Sequence, residues 1–196
     1  VGLVACFNIW DVATGALVKA LNIDAPRLAS VDWRYCQTPS GDTYSLLVCP
    51  DGDRNILLWD AASGEQRQTL SGHTSPIWAV ALNNEGTLLA SSAQDNTIKI
   101  WDLAKDPLAD QCIQTLDSCL GIAWSLTFSR DGHRLAASRQ NAAVELWDIA
   151  TGRLLRVFQG HISNVWSTDF TQTGDILASG GDAQSIKLWN TKTADC

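Results

Sequence analysis

Three residue types that can perform nucleophilic catalysis lie close together near the middle of the chain: His73, Ser91 and Asp95. In a hydrolase of this kind a serine attacks the substrate, a histidine accepts its proton and an aspartate orients the histidine. Such a serine commonly stands on a glycine-containing turn that exposes its hydroxyl beside an oxyanion hole. Ser91 lies instead in the segment LLASSAQD, which contains no glycine. We therefore do not expect it to act as a nucleophile.

The cysteines and histidines do not form a recognisable metal site. The six cysteines include no Cys-x-x-Cys pair and only three histidines are present, whereas structural zinc sites take four such ligands at short spacings. An acidic group of Asp51, Asp53 and Asp60 lacks the EF-hand spacing. We expect no metal and no cofactor. Irregular cysteine spacings favour reduced thiols and a cytoplasmic location, with a disulfide framework as the alternative.

Charge and hydropathy limit the partners of this 196-residue chain. Its net charge of −7 argues against nucleic acid or an anionic membrane as the main partner, because phosphate binding needs clustered Lys and Arg. No apolar run reaches the length that would span a bilayer. The sequence begins at Val1 and contains no methionine, which predicts a fragment or a processed product.

A repeat runs through the whole sequence. Five tryptophans that precede Asp or Asn are spaced at intervals of 49, 42, 46 and 42 residues: Trp10, Trp59, Trp101, Trp147 and Trp189. A period in the forties indicates a repeat protein whose units stack to bury their apolar faces.

The clearest unit, which extends from Leu70 to Asp102, predicts short strands joined by turns. Residues 77–82 alternate as in a half-buried strand, and residues 83–86 form a glycine-containing turn. A second strand follows at 88–91, a third at 98–101 and a fourth at 112–116. No segment shows helical periodicity. The unit is therefore expected to be an antiparallel four-stranded meander in an all-β fold.

The repeated Trp-Asp dipeptide, with Gly72-His73 and Gly160-His161 at fixed offsets from it, resembles the WD-repeat β-propeller family. Phrases such as PIWAVAL are similar to the long repeat arrays of bacterial signalling proteins. The resemblance implies a β-propeller of four-stranded antiparallel blades.

The strand count predicts about four blades: two strands at the start, twelve in three full copies and three at the end. We expect one propeller segment over 1–196, with part-blades at 1–22 and 159–196 and blades at 23–70, 71–116 and 117–158. Three arrangements remain open, of which we favour the first. The chain is part of a longer ring, or half of a dimeric eight-bladed ring in which residues 17–21 complete the last blade of the other copy, or a ring of four blades.

The resemblance also implies a structural hydrogen-bond network within a blade, which joins the Gly-His loop to the third strand. Its expected members are His73, Ser91, Asp95 and Trp101 in one copy, and His161, Ser179, Asp182 and Trp189 in the last copy. In the last copy Ala183 stands at the aspartate position and Asp182 comes one residue early. The copy at 117–158 has Cys119, Ala137 and Asn141 at the three polar positions, so we expect its network to be lost.

Three further tryptophans occupy one position at the start of each innermost strand: Trp78, Trp124 and Trp166. In the family this position lies near the rim of the central channel, so these indoles are candidate binding residues, and aromatic residues are enriched in binding hot spots. The alternative is ordinary packing in the core. Secondary candidates on the same face are the turn residues Arg54, Asn96, Gln140 and Gln184. Four residues after the indole position, Trp33, Leu82, Phe128 and Phe170 are expected in the core.

The leading hypothesis for function is a noncatalytic scaffold or sensor that binds a protein or peptide on the propeller face, within a larger multidomain signalling protein. One alternative is an engineered or truncated fragment that self-associates through its open blades into a dimeric ring. Another is an enzyme with a site at the channel mouth. That alternative is poorly supported, because the only acids expected on the innermost strands are Asp32 and Asp169.

Overall fold

The computed structural model describes residues 5–23, 29–37, 43–105, 110–117 and 121–195. Within these ranges the chain forms seventeen β-strands and no helix. The strands are β1 Ala5–Trp10, β2 Leu17–Ile23, β3 Asp32–Gln37, β4 Thr43–Pro50, β5 Asn55–Asp60, β6 Gln66–Ser71, β7 Ile77–Leu82, β8 Leu88–Ala93, β9 Thr97–Asp102, β10 Cys112–Asp117, β11 Ala123–Phe128, β12 Arg134–Arg139, β13 Val144–Asp148, β14 Leu154–Phe158, β15 Val165–Phe170, β16 Ile176–Gly181 and β17 Ile186–Asn190.

These strands form five antiparallel sheets in chain order. The first sheet has two strands, β1 and β2, the last has three, β15 to β17, and the three sheets between them have four strands each. Every pairing joins strands that are consecutive in sequence. The arrangement confirms the predicted all-β fold of four-stranded antiparallel blades, with about four blades in the chain.

The acidic or amide residue after each repeated tryptophan closes the turn into the next strand. The Oδ1 atom of Asp60 accepts hydrogen bonds from the backbone N–H groups of Ala62 and Ser63, at 2.9 and 3.0 Å. Asp148 binds Thr151 N in the same way, and Asn190 binds Lys192 N. A short side chain that accepts from the backbone two or three residues later favours a tight turn. The second half of the Trp-Asp dipeptide therefore determines where the outer strand begins.

The core lies between neighbouring sheets. The sheets β3–β6 and β7–β10 share a cluster that includes Val48, Ile56, Leu82 and Trp101. Two similar clusters join β7–β10 to β11–β14 and β11–β14 to β15–β17. A smaller cluster packs Leu21 of the first sheet against β4 and β5. Each sheet is thus stabilised mainly by the sheets on either side of it.

The first sheet corrects two expectations. Trp33, expected in the core, is 41% exposed, because the preceding sheet has only β1 and β2 and no inner strands to cover it. Residues 17–21, which one alternative pairs with the last blade of another copy, belong to β2 and pair with β1 of the same chain. The turn between them is closed by a hydrogen bond from Asp11 N to Ala16 O at 2.9 Å.

Candidate functional site

The residues that could have formed a catalytic triad are linked in a buried chain of hydrogen bonds. Trp101 Nε1 donates to Ser91 Oγ at 2.8 Å, and Ser91 Oγ lies 2.8 Å from His73 Nε2. His73 Nδ1 lies 3.0 Å from Asp95 Oδ2. Ser91 is fully buried, so its hydroxyl is held between an indole and an imidazole and faces no cleft. The arrangement connects the loop before β7 to strands β8 and β9.

Electrostatics favour a neutral imidazole in this network. Burial lowers the pKa of His73 below its usual 6.5, although Asp95 acts in the opposite direction. For Asp95, burial acts to raise the pKa, but hydrogen bonds from Thr97, Thr74 and His73 outweigh it and lower the pKa to about 2. A neutral His73 that carries its proton on Nδ1 can donate to the Asp95 carboxylate and accept from Ser91 on Nε2.

The last blade forms a shorter version of the network. His161 Nε2 lies 2.7 Å from Ser179 Oγ, and Trp189 Nε1 donates to the same oxygen at 2.7 Å. Asp182, expected in this network, does not reach His161, whose buried Nδ1 has no hydrogen-bond partner among the described residues. The early position of Asp182 in its turn directs the carboxylate to Trp166 Nε1 and Asn164 Nδ2 instead.

The blade formed by β11 to β14 contains a buried ion pair that the sequence reasoning missed. Arg139 Nε donates to Glu145 Oε2 at 2.7 Å, and Trp147 Nε1 donates to the same oxygen at 3.0 Å. Both charged side chains are fully buried. Ala137 stands where the other networks have serine, and it lies directly opposite Glu145 in the β12–β13 register. The small side chain of Ala137 leaves room for the Glu145 carboxylate, which replaces the serine hydroxyl as the acceptor for Trp147 Nε1.

The three candidate binding tryptophans form a continuous row across three blades. The ring centroids of Trp78 and Trp124 are 4.9 Å apart with an interplanar angle of 75°. Those of Trp124 and Trp166 are also 4.9 Å apart, at 44°. Edge-to-face and tilted pairs at this distance are favourable because of the ring quadrupole. The structure therefore brings these three residues together, which neither sequence alternative specified. We name them the indole row.

The indole row retains unused hydrogen-bonding capacity. Nε1 of Trp78 and Nε1 of Trp124 are buried and have no hydrogen-bond partner among the described residues. Trp166, at the end of the row, is 46% exposed and donates to Asp182 Oδ1. Buried polar groups are normally paired, so these two indole N–H groups are exceptions, and the row presents its ring surfaces rather than these donors to solvent.

The four turn residues predicted as secondary candidates lie next to the starts of the innermost strands. Gln94 N and Gln140 N donate to Pro76 O and Ile122 O, just before β7 and β11. All four candidate side chains are exposed. Asn96 and Gln184 adopt positive φ, at 66° and 51°, and Arg54 Nε lies 3.6 Å from Asp53 Oδ2. The structure thus places Arg54, Asn96, Gln140 and Gln184 on the face that carries the indole row.

The opposite ends of the innermost strands surround a cavity of about 420 Å³. Its lining includes Arg34, Phe128, Arg130 and Asp169.

In the described ranges, no group of three or more His, Cys, Asp or Glu side chains is arranged to hold a metal ion. No helix in those ranges could cross a membrane.

The buried cysteines have properties of inert thiols. Cys36 and Cys49 are unpaired and buried, and Cys112 is unpaired and partly buried. Burial raises the pKa of Cys49 to about 12 and also raises that of Cys36. Because the thiolate is the reactive form, neither residue is suited to nucleophilic chemistry. Cys119 and Cys196 lie outside the described residues.

Comparisons with known proteins agree with this architecture. Elongator complex protein 2 of Danio rerio is 30% identical over 118 residues, which are 58% of this chain and 14% of that protein. Autophagy-related protein 16 of Arabidopsis thaliana is 31% identical over 99 residues, 50% of this chain and 18% of that protein. Eukaryotic translation initiation factor 3 subunit I of Botryotinia fuckeliana is 37% identical over 65 residues, 33% of this chain and 18% of that protein. The chain thus spans less than a fifth of each of these relatives.

A family model identifies the repeat itself. The model described as "WD domain, G-beta repeat" matches residues 64–102, 110–148 and 152–190, which make up more than half of the chain. Each match ends on the residue that follows a repeated tryptophan: Asp102, Asp148 and Asn190. With the antiparallel sheets and the histidine–serine–tryptophan bonds described above, these matches show that the chain belongs to the WD40-repeat family.

Proposed function

We propose that this chain is a noncatalytic interaction scaffold that binds a protein or peptide across the indole row. WD40-repeat proteins generally act as scaffolds in larger assemblies. Two of the relatives are named as parts of assemblies, Elongator complex protein 2 and eukaryotic translation initiation factor 3 subunit I. We further propose that the chain is part of a larger multidomain signalling protein in the cytoplasm. It treats residues 1–196 as one propeller segment with the blade boundaries given above.

The indole row carries the proposal. Two centroid steps of 4.9 Å cover about the length of three residues in an extended peptide, which rises about 3.3 Å per residue. The aromatic faces of the row suit apolar or proline side chains. We therefore expect the ligand to be a short extended segment with apolar side chains.

A noncatalytic role agrees with the state of the polar residues. The Ser91 hydroxyl is engaged on both sides and buried, so it cannot reach a substrate. His161 and Ser179 are paired with each other and with Trp189 in the same manner. These residues support the blade, while the surface next to the indole row is free to bind.

Selection from a displayed peptide library tests the proposal. We expect the intact chain to enrich apolar peptides, and Trp124→Ala or Trp166→Ala to weaken their binding at least about tenfold, as is typical of an aromatic hot spot. Trp33→Ala removes an exposed tryptophan from a different sheet and is the matched control. Peptides that bind all three variants as tightly as the parent chain would place the binding surface elsewhere.

A further inference from the structure

The residue that opens the turn after the second strand of a blade makes the same backbone contact in three blades. Its N–H donates to the carbonyl that immediately precedes the innermost strand: Gln94 to Pro76 at 2.9 Å, Gln140 to Ile122 at 3.0 Å and Asp182 to Asn164 at 3.1 Å. The three residues therefore occupy equivalent positions beside the indole row. Of these three blades, the last has an acid at this position and the other two have glutamine.

The acid reaches the tryptophan of its own blade. Trp166 Nε1 donates a hydrogen bond to Asp182 Oδ1, and Asn164 Nδ2 donates to Asp182 Oδ2 at 3.1 Å. In the other two blades the glutamine leaves the indole unpaired, since Nε1 of Trp78 and Nε1 of Trp124 have no hydrogen-bond partner among the described residues. Trp166 is thus the member of the row whose ring is held by a side chain of its turn.

This bond replaces one that would stabilise the blade. In the β7–β10 blade the acid stands one residue later, at Asp95, and pairs with His73 Nδ1. In the last blade that position is Ala183, and the buried Nδ1 of His161 has no partner among the described residues. A buried polar group without a partner is destabilising. The last blade therefore lacks a stabilising bond to its histidine, while its acid holds a half-exposed indole.

The bond between Asp182 and Trp166 is local to one sheet. Trp166 lies in β15, and Asp182 follows β16, which pairs with β15. The bond therefore does not depend on what packs against the open side of that sheet. A side chain that is already fixed loses less conformational entropy when a ligand binds. Asp182 thereby prepares the end of the indole row for binding.

Asp182 also places a negative charge at this end of the row. Its side chain is exposed, and its side-chain donors are the Trp166 indole, the Asn164 amide and, at 3.5 Å, the Ser163 hydroxyl. These donors are neutral, and none of the ion pairs among the described residues includes Asp182. A carboxylate can accept about four hydrogen bonds. The charge is therefore available to a cation on a ligand.

We propose that Asp182 is a positioning and specificity residue of the indole row. It holds the Trp166 ring in the orientation that a ligand meets, and its charge selects a segment that carries Lys or Arg beside its apolar side chains. This inference rests on the proposed function and defines the ligand further, as a short apolar segment with one adjacent cation. An acid one residue before the network position thus acts on the ligand instead of on the histidine.

Indole N–H resonances test the positioning without any ligand. In a chain labelled with nitrogen-15, the Trp166 signal is the one of nine indole signals that disappears in Trp166→Phe. Asp182→Ala should move this signal upfield and speed its exchange with solvent, because the carboxylate acceptor is lost. Asp182→Asn keeps an acceptor oxygen and should retain most of the shift. Asp175→Asn removes a half-exposed carboxylate beside the other end of β16 and is the control. A Trp166 signal that Asp182→Ala leaves unchanged would overturn the positioning role.

Two displayed libraries of apolar pentapeptides test the charge, one with a fixed lysine and one with glutamine in its place. The intact chain should enrich the lysine library about threefold over the glutamine library, which is the scale of an exposed ion pair. Asp182→Asn should lose that preference and still enrich apolar peptides, whereas Asp175→Asn should keep it. Equal enrichment of both libraries by the intact chain would overturn the charge selection and leave the proposed function standing. Enrichment of neither library would overturn both.

Moving the acid to the network position separates its two roles. Asp182→Gln combined with Ala183→Asp reproduces the Gln94-Asp95 sequence of the β7–β10 blade. The new carboxylate should pair with His161 and raise the melting temperature by about 2–4 °C. The Trp166 signal should then shift as in Asp182→Ala, and the preference for lysine should disappear. A double variant that gains stability but keeps both the signal and the preference would overturn the proposal.

Discussion

At the scale of residues, the acceptor for each repeated tryptophan varies while the indole position does not. Trp101 and Trp189 donate to serine hydroxyls, whereas Trp147 donates to the carboxylate of Glu145. A buried indole N–H is normally paired, and in these three blades either a serine hydroxyl or a carboxylate is the acceptor. The two serine networks differ in one component, since only Ser91 is connected through a histidine to a carboxylate.

That difference predicts unequal effects of removing the two histidines. His73→Ala should lower the free energy of unfolding by about 3 kcal/mol, because it deprives both Ser91 and Asp95 of a buried partner. His161→Ala removes one such bond and should cost about half as much. Thermal denaturation measures both, at about 2–4 °C per kcal/mol for a chain of this size. Equal shifts in the two variants would show that the bond to Asp95 contributes nothing.

The same network predicts loss of stability in mild acid. Burial lowers the pKa of His73 below 6.5, so the unfolded chain binds more protons than the folded chain as the pH falls through 6.5. Stability should therefore decrease with acidification until the folded-state pKa is passed. Urea midpoints between about pH 7.5 and about pH 5.5, which is one unit above and below the usual histidine pKa, measure the slope. His73→Gln should reduce this slope, and a slope that is unchanged in this variant would contradict the prediction.

At the scale of elements, the β12–β13 hairpin contains a buried ion pair that has no counterpart among the described residues of the other blades. Arg139 is held by Glu145 and also donates to Gly121 O at 2.9 Å. Breaking a buried pair by removing one partner typically costs about 3–5 kcal/mol, because the remaining charge is left uncompensated. The corresponding residues in the blade formed by β7 to β10 are Ala93 and Lys99, which form no such pair.

This hairpin allows a test with a built-in rescue. Glu145→Lys alone should destabilise the chain by about 3–5 kcal/mol, since it places two cations together in the blade. Combining it with Arg139→Ala reproduces the Ala93 and Lys99 pair of the β7–β10 blade and should recover the part of the loss that arises from the two adjacent cations, while Trp147 Nε1 lacks its acceptor in both variants. A double-mutant cycle by urea denaturation measures the coupling. A double variant no more stable than Glu145→Lys would mean that Arg139 is not the cause.

At the scale of the whole molecule, stability should be highest in the middle of the array. The sheets β7–β10 and β11–β14 bury apolar residues on both faces, whereas the first and last sheets are covered on one side only. In a repeat protein each unit is stabilised chiefly by its neighbours. The ends should therefore open more readily than the centre.

Amide hydrogen exchange at low protein concentration tests this gradient. We expect the slowest exchange in β8, β9, β12 and β13, and markedly faster exchange in β1, β2 and β17, because local opening exposes fewer contacts at the ends. Uniform exchange along the chain would indicate a single cooperative unit.

The sequence predicted the parts of the structure that repeat and missed those that depend on one blade. The Trp-Asp period gave the strand order and the all-β fold, because the same pattern recurs and each copy supports the others. Asp182 was assigned to His161 because of its type, but a one-residue difference in the turn directs it to Trp166. Glu145 and Arg139 carry no repeated signal, so nothing in the other copies pointed to them. The exposure of Trp33 depends on how many strands precede it, which a local pattern does not contain.

The buried ion pair of Arg139 and Glu145 also makes the β11–β14 blade chemically different from the similar blades beside it. Misassembly of similar units is a characteristic failure of repeat proteins during folding. If β13 were inserted into another blade, Glu145 would be buried opposite Ser91 or Ser179 with no guanidinium to neutralise it, at a cost of several kcal/mol. The pair thereby distinguishes the correct assembly of β12 and β13 from a shift by one whole repeat. In a protein made of similar units, a single different pair of residues can set the register of the array.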